Sequence, residues 1–109
     1  ETLVEVDLGG RVAVVTGGAG AIGRAIARRL AESAATVVLA DIDAAGARAA
    51  AADLPGAWAC RIDIAEEASI GDGVAAIRDR FGRIDVLVNN AGVNTLEHRV
   101  PVDAFPVAE

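Results

Sequence analysis

Four short, largely apolar runs recur along this chain with helix-length segments between them, and that alternation restricts the fold more than any other feature. Arg11 to Thr16 is entered through Gly9-Gly10 and left at Gly17-Gly18. Its unbroken apolar character predicts a strand buried on both faces. Thr36 to Asp41 repeats the pattern, Ala57 to Ile62 gives a third strand, and Ile84 to Val88 a fourth. In Ala21 to Glu32, Ile22, Ile26 and Leu30 recur every four residues while Arg24, Arg28 and Arg29 lie elsewhere, which predicts an amphipathic helix with a solvated arginine face. The alanine-rich stretch Asp43 to Asp53 has high helix propensity until Pro55-Gly56 ends it, and Asp43 is placed to cap it. Ala65 to Phe81 predicts a third helix, weakened by Gly71 and Gly73.

Strands that alternate with helices of this length imply right-handed crossovers and a parallel sheet with helices on both faces. The whole chain, 1–109, reads as one α/β domain, with 93–109 an irregular segment punctuated by Pro101 and Pro106. An apolar content of 53% is high for so short a domain, which points to buried sheet or to further chain beyond Glu109. The apolar edge of Val86, Leu87 and Val88 points the same way, since a fifth strand should cover it.

A net charge of −6 repels phosphate backbones and anionic lipid, so nucleic acid and membrane surfaces are poor partners and a small molecule is the better one. No run approaches the ~18 apolar residues of a membrane span. The acidic stretch Glu1 to Asp7 lacks the basic start of a signal peptide, so a cytoplasmic setting is expected. Cys60, the single cysteine, reads as a small buried hydrophobe, and Trp58 as a core or sheet-edge aromatic. His98 stands alone in the irregular segment, and no metal site is expected.

The first turn reads Thr16-Gly17-Gly18-Ala19-Gly20-Ala21-Ile22-Gly23, in which Gly18, Gly20 and Gly23 fit G-x-G-x-x-G between a strand and a helix. Glycines here permit a tight turn and let a pyrophosphate approach the backbone, where the helix dipole and free amides favour its charge. The plainer alternative is a turn that only connects strand to helix. Asp41 ends the second strand at the distance where a carboxylate accepts hydrogen bonds from the adenosine ribose hydroxyls, and it repels a 2′-phosphate. Neither the turn nor Ile42 supplies a cation for that phosphate, so NAD(H) is preferred over NADP(H). Asp41 could instead be a solvated strand-end acid or a cap. These features together predict a Rossmann-type doubly wound sheet, incomplete, with strand order 3-2-1-4 and a cofactor crevice between the first and fourth strands.

Thr16-Gly17 with Ile22-Gly23, Asp41, Asp63-Ile64 and Asn89-Asn90-Ala91-Gly92 together resemble the short-chain dehydrogenase/reductase family over nearly the whole chain. The resemblance implies that the turn residues Gly17, Ala19, Gly20, Ala21 and Ile22 lie against NAD, with Asp41 and Ile42 at its ribose end. It implies that Asp63 bonds the adenine amino group with Ile64 beside it, although Asp63 could also cap the third helix. Asn89, Ala91 and Gly92 would brace the sheet and border the riboses. One departure is that Ala21 stands where the family's middle glycine is usual. The resulting T-G-x-x-G-x-x-G spacing matches the extended branch of sugar-nucleotide epimerases and dehydratases, which is the alternative enzyme reading.

The family's catalysis uses a serine, a tyrosine and a lysine four residues after it, and these 109 residues contain no tyrosine. No catalytic residue is therefore assigned here. The chain is expected to supply cofactor binding for a longer protein that interconverts a secondary alcohol and a ketone. The segment from Val93 onward would lead toward the substrate side, and the resemblance implies a homo-oligomer, with a tetramer expected. A reading of another class is a non-catalytic module that senses or sequesters NAD(H).

Overall fold

The computed structural model describes residues 7–90. Within them the apolar runs form strands β1 (Val12–Thr16), β2 (Thr36–Asp41), β3 (Trp58–Arg61) and β4 (Val86–Val88). The intervening segments form helices α1 (Ala21–Glu32), α2 (Ala44–Ala52) and α3 (Glu67–Phe81). All strand pairs are parallel, and the sheet order is β3-β2-β1-β4, as the alternation predicts. β1 lies at the centre, with Val14 opposite Val38 on one side and Leu87 on the other.

Strand residues alternate between two apolar layers because successive side chains point to opposite faces. On one face Val15, Val37 and Leu39 meet Ala27 of α1 and Ala47, Ala50 and Ala51 of α2. On the other, Val12, Val14, Val38, Ala40 and Ile62 meet Ile77 of α3. The alanines of α2 let that helix lie close to the sheet. Gly73, which weakens α3 in propensity, does the same for its helix, because a Cβ there would run into the Ile62 side chain.

Several local expectations shift. α1 does not bury Ile22, which is 65% exposed; Gly23 and Ala27 turn inward instead, with Ile26 and Leu30 half-buried. A glycine and an alanine at i, i+4 let the helix sit close to the sheet, and this rotates Ile22 outward. Cys60 is half-buried rather than buried because β3 is an edge strand, and what burial it has pushes its thiol pKa up. Trp58 sits at that edge, with Phe81 against it edge-on (5.8 Å, 75°) and the Arg80 guanidinium over both rings.

α3 begins two residues later than its composition suggests. Residues 63–66 form a turn in which Asp63 accepts from the Ala65 amide through Oδ1 (3.0 Å) and from the Glu66 amide through its carbonyl (3.0 Å). Asp63 is thus not the α3 cap; that position falls to Glu66, which makes no side-chain cap bond. β4 begins at Val86, two residues past the predicted Ile84; just before it Asp85 holds the start of β1 twice, its amide donating to the Val12 carbonyl at 2.9 Å and its Oδ2 accepting from the Val12 amide at 2.8 Å. α2 is capped as expected, the Gly46 amide donating to Asp43 Oδ1 at 3.0 Å. No helix among the described residues is long and apolar enough to cross a membrane.

Two stability predictions follow from this geometry. Ala34, just past α1, holds φ at +74°, where its Cβ crowds the backbone. Ala34→Gly is expected to raise unfolding stability by about 1 kcal/mol, read as a higher urea midpoint, because the left-handed penalty exceeds the entropic cost of glycine. The second concerns Asp85, whose carboxyl the Arg83 guanidinium at 2.7 Å, and then the Val12 amide, hold below its ordinary value of 3.8. A lowered folded pKa stabilises above the ordinary value and loses that contribution as pH falls through the folded one. Asp85→Asn should therefore lower the urea midpoint slightly at neutral pH, Arg83 being 57% exposed, and the difference should fade below pH 3.8.

Candidate functional site

At the carboxyl ends of β1, β2 and β3, beside β4, the sheet opens into a cavity of about 510 Å³. Ligands in open α/β sheets settle at such a place, where the strand order reverses between β1 and β4. The glycine turn forms one wall. Gly17 holds φ at +68°, a conformation that favours glycine. Gly18 donates its amide to the Ala40 carbonyl at 3.1 Å and lies so close to β2 that a Cβ would meet Leu39 at 2.8 Å. A Cβ on Gly23 would collide with the Gly17 carbonyl, so α1 starts directly against the turn.

Gly20 differs from these three. A Cβ there would have only the Gly17 carbonyl oxygen near it, at 3.6 Å, and the residue lines the cavity. As the N-cap of α1 it offers no side chain to the helix amides, and the first turn carries no acidic residue. The positive end of the α1 dipole therefore faces the cavity without a side-chain cap.

Asp41 stands beside the turn, at the end of β2, and lines the cavity. Its Oδ2 accepts from the Ala19 amide (2.9 Å) and its Oδ1 from the Asp43 amide (2.9 Å), so the carboxylate is oriented at both oxygens. Each oxygen keeps acceptor capacity for a hydroxyl donor. Asp63 lines the next part of the wall, with its own amide donating to Ser69 Oγ at 2.8 Å. Of the four exposed large hydrophobics among the described residues, Ile22, Ile42 and Ile64 line this cavity, and the fourth, Leu87, lies on β4. Apolar groups held open to solvent in one hollow suit a flat apolar ligand moiety.

β4 reaches the turn through its two asparagines. The Thr16 hydroxyl donates to the Val88 carbonyl and lies 3.3 Å from Asn89 Oδ1, while Asn90 Nδ2 donates to the Gly17 carbonyl at 3.4 Å. The structure thus places Gly17, Gly20, Ala21, Ile22, Asp41, Ile42, Asp63 and Ile64 on the cavity wall. Ala19 and Asn89 stand behind it, bonded to Asp41 and Thr16. Ala91 and Gly92, with His98 and the segment from Val93, lie outside the described residues. Sequence reasoning passed over Asn90, which lines the cavity; its signal was its place beside Asn89. It also passed over the wall residues Ala40 and Ile62, which carry no polar signature. The described wall contains two carboxylates and no lysine or arginine.

Comparison with known proteins follows the same residues. The family model described as short chain dehydrogenase matches residues 11–107. The sorbitol dehydrogenase of Cereibacter sphaeroides is 46% identical over 87 residues, covering 79% of this chain and 34% of that protein. The D-threitol dehydrogenase of Mycolicibacterium smegmatis is 45% identical over 104 residues, covering 88% of this chain and 39% of that one. Among solved structures, a 3-ketoacyl-(acyl-carrier-protein) reductase from Brucella melitensis complexed with NADH superposes with a TM-score of 0.76 at 41% identity, over 80% of this chain and 36% of that one. The chain spans about a third of the length of the curated relatives it matches.

The contact between Gly23 and the turn is the tightest constraint on this wall. Gly23→Ala is expected to destabilise the protein by about 1–3 kcal/mol, the usual range for forcing a methyl into filled space. Chemical denaturation of the two proteins side by side measures it, and an unchanged midpoint would contradict the close approach.

Proposed function

The chain belongs to the short-chain dehydrogenase family, and from that premise we propose that it is the cofactor-binding part of an NAD(H)-dependent oxidoreductase interconverting a secondary alcohol and a ketone. The observation that carries this reading is the oriented Asp41 carboxylate sharing a cavity with an α1 start that has no side-chain cap, on a wall without a described cation. Bound NAD(H) supplies the hydride donor or acceptor. This chain's residues bind and orient it: the amides of the turn and of α1 receive the diphosphate, with Gly20 and Ala21 leaving the room it needs. Asp41 accepts from the adenosine ribose hydroxyls and repels a 2′-phosphate, while Ile42 and Ile64 cover the adenine, whose amino group donates to Asp63. Asn89 acts from behind by holding Thr16 and the end of β1, and the family resemblance assigns Ala91 and Gly92 a part in binding the nicotinamide ribose.

The substrate class favoured is a polyol or sugar. Relatives named for sorbitol, D-threitol and galactitol support it, each about 42–46% identical to this chain. A polyol offers the secondary alcohol that such a reaction oxidises. The groups that move its proton lie outside this stretch, and the whole protein acts as a homo-oligomer.

Two measurements test this. NADH fluorescence titration should show binding that Asp41→Asn weakens about tenfold, the scale of a lost hydrogen bond to a charged acceptor, and a native preference for NADPH would overturn the role of Asp41. NAD⁺ reduction by the whole protein should proceed with sorbitol, threitol or galactitol; turnover confined to 3-hydroxyacyl thioesters would replace the substrate class and leave the cofactor reading intact.

A further inference from the structure

The glycine turn meets a second helix at a place away from the cavity wall. Gly46 lies in the first turn of α2, where a Cβ would collide with Asp43 Oδ2 and come to 2.9 Å from both the Asp43 carboxyl carbon and the Ala19 methyl. Ala19 is held on two other sides as well, its amide donating to Asp41 Oδ2 and its carbonyl accepting from Arg24 Nε at 3.1 Å. The start of α2 reaches the same carboxylate, because the Asp43 amide donates to Asp41 Oδ1 while Asp43 Oδ1 caps the Gly46 amide. The Asp41 carboxylate is thus strung between two backbone amides, one from the turn and one from the entry to α2. The turn and the entry to α2 meet where the Ala19 methyl approaches Gly46.

We propose that Gly46 is a specificity-determining positioning residue: its missing side chain lets α2 close on Ala19, which fixes the Asp41 carboxylate to accept a ribose diol and refuse a 2′-phosphate. The inference rests on the role of Asp41 given under the proposed function. A carboxylate bonded at both oxygens cannot swing aside, so a phosphate entering beside it meets the full charge at a fixed position. A methyl at position 46 displaces the Asp43 carboxylate, the Ala19 methyl or both. A shift of Ala19 loosens its amide bond to Asp41 Oδ2, and a displaced Asp43 side chain gives up its cap on the Gly46 amide at the entry to α2, from which the second bond to Asp41 comes. The carboxylate then gains freedom to turn, and discrimination falls more than binding does. Alanine is a better helix former than glycine, which offsets part of what α2 loses when its Asp43 cap is displaced.

NADH and NADPH titrated separately into the whole protein, by fluorescence, test this in four forms: the parent, Gly46→Ala, the double variant Ala19→Gly with Gly46→Ala, and Asp41→Asn. The expected result is that Gly46→Ala lowers the NADH-over-NADPH affinity ratio about tenfold, the size of one hydrogen bond to a charged group, and that removing the Ala19 methyl restores much of it. An equal loss for both cofactors indicates a merely structural role and overturns the proposal, as does a double variant no better than the single one. A ratio unchanged in Gly46→Ala but lowered in Asp41→Asn overturns the positioning role alone. A ratio unchanged in Asp41→Asn overturns the reading of Asp41 on which it rests.

Discussion

A backbone-to-backbone approach underlies the rest of this structure: α1 starts directly over the Gly17 carbonyl, in space that a single methyl on Gly23 would fill. Because the helix begins there, its first amides lie at the carboxyl end of β1 rather than a turn above it. Because β1 is central, with β2 on one side and β4 on the other, that point is also where the sheet opens. Parallel pairing alone would give a stable layer without a site. The close start of α1 converts the gap between neighbouring connections into a cavity whose wall carries both a dipole end and a carboxylate.

Elements that depend on periodicity were legible in the sequence, and those that depend on a particular contact were not. β2 and α1 fall on the bounds that their apolar spacing predicts, since burial in a two-faced sheet leaves few other arrangements. The strand order was legible for a related reason, because the glycine turn and Asp41 make sense only if β1 and β2 are neighbours. Ile22 misled because spacing of four identifies a stripe but not which edge of it faces the sheet, and the small residues Gly23 and Ala27 decide that. The start of α3 was misplaced because Asp63 can serve a turn as readily as a helix, and its bond to the Ala65 amide favours the turn. Gly73 looked like a weakness and is a packing residue, a difference set by Ile62 on another element.

The electrostatics of the cavity bear on how an anionic ligand could be held at all. The chain is acidic overall, and the described wall adds Asp41 and Asp63 with no cation to offset them. A diphosphate there would have to be held by dipoles, since backbone amides and a helix end attract anions without presenting a mobile charge. That arrangement has a consequence for selectivity. Dipoles at one fixed place favour a phosphate only where they point, and carboxylates elsewhere on the wall disfavour it everywhere else, so the two signs together define where along the cavity negative charge is tolerated. A lysine or arginine would blur that boundary, because a long cationic side chain reaches several positions. An acidic wall with an amide-lined end is thus better suited to telling one phosphate position from another than a basic pocket would be.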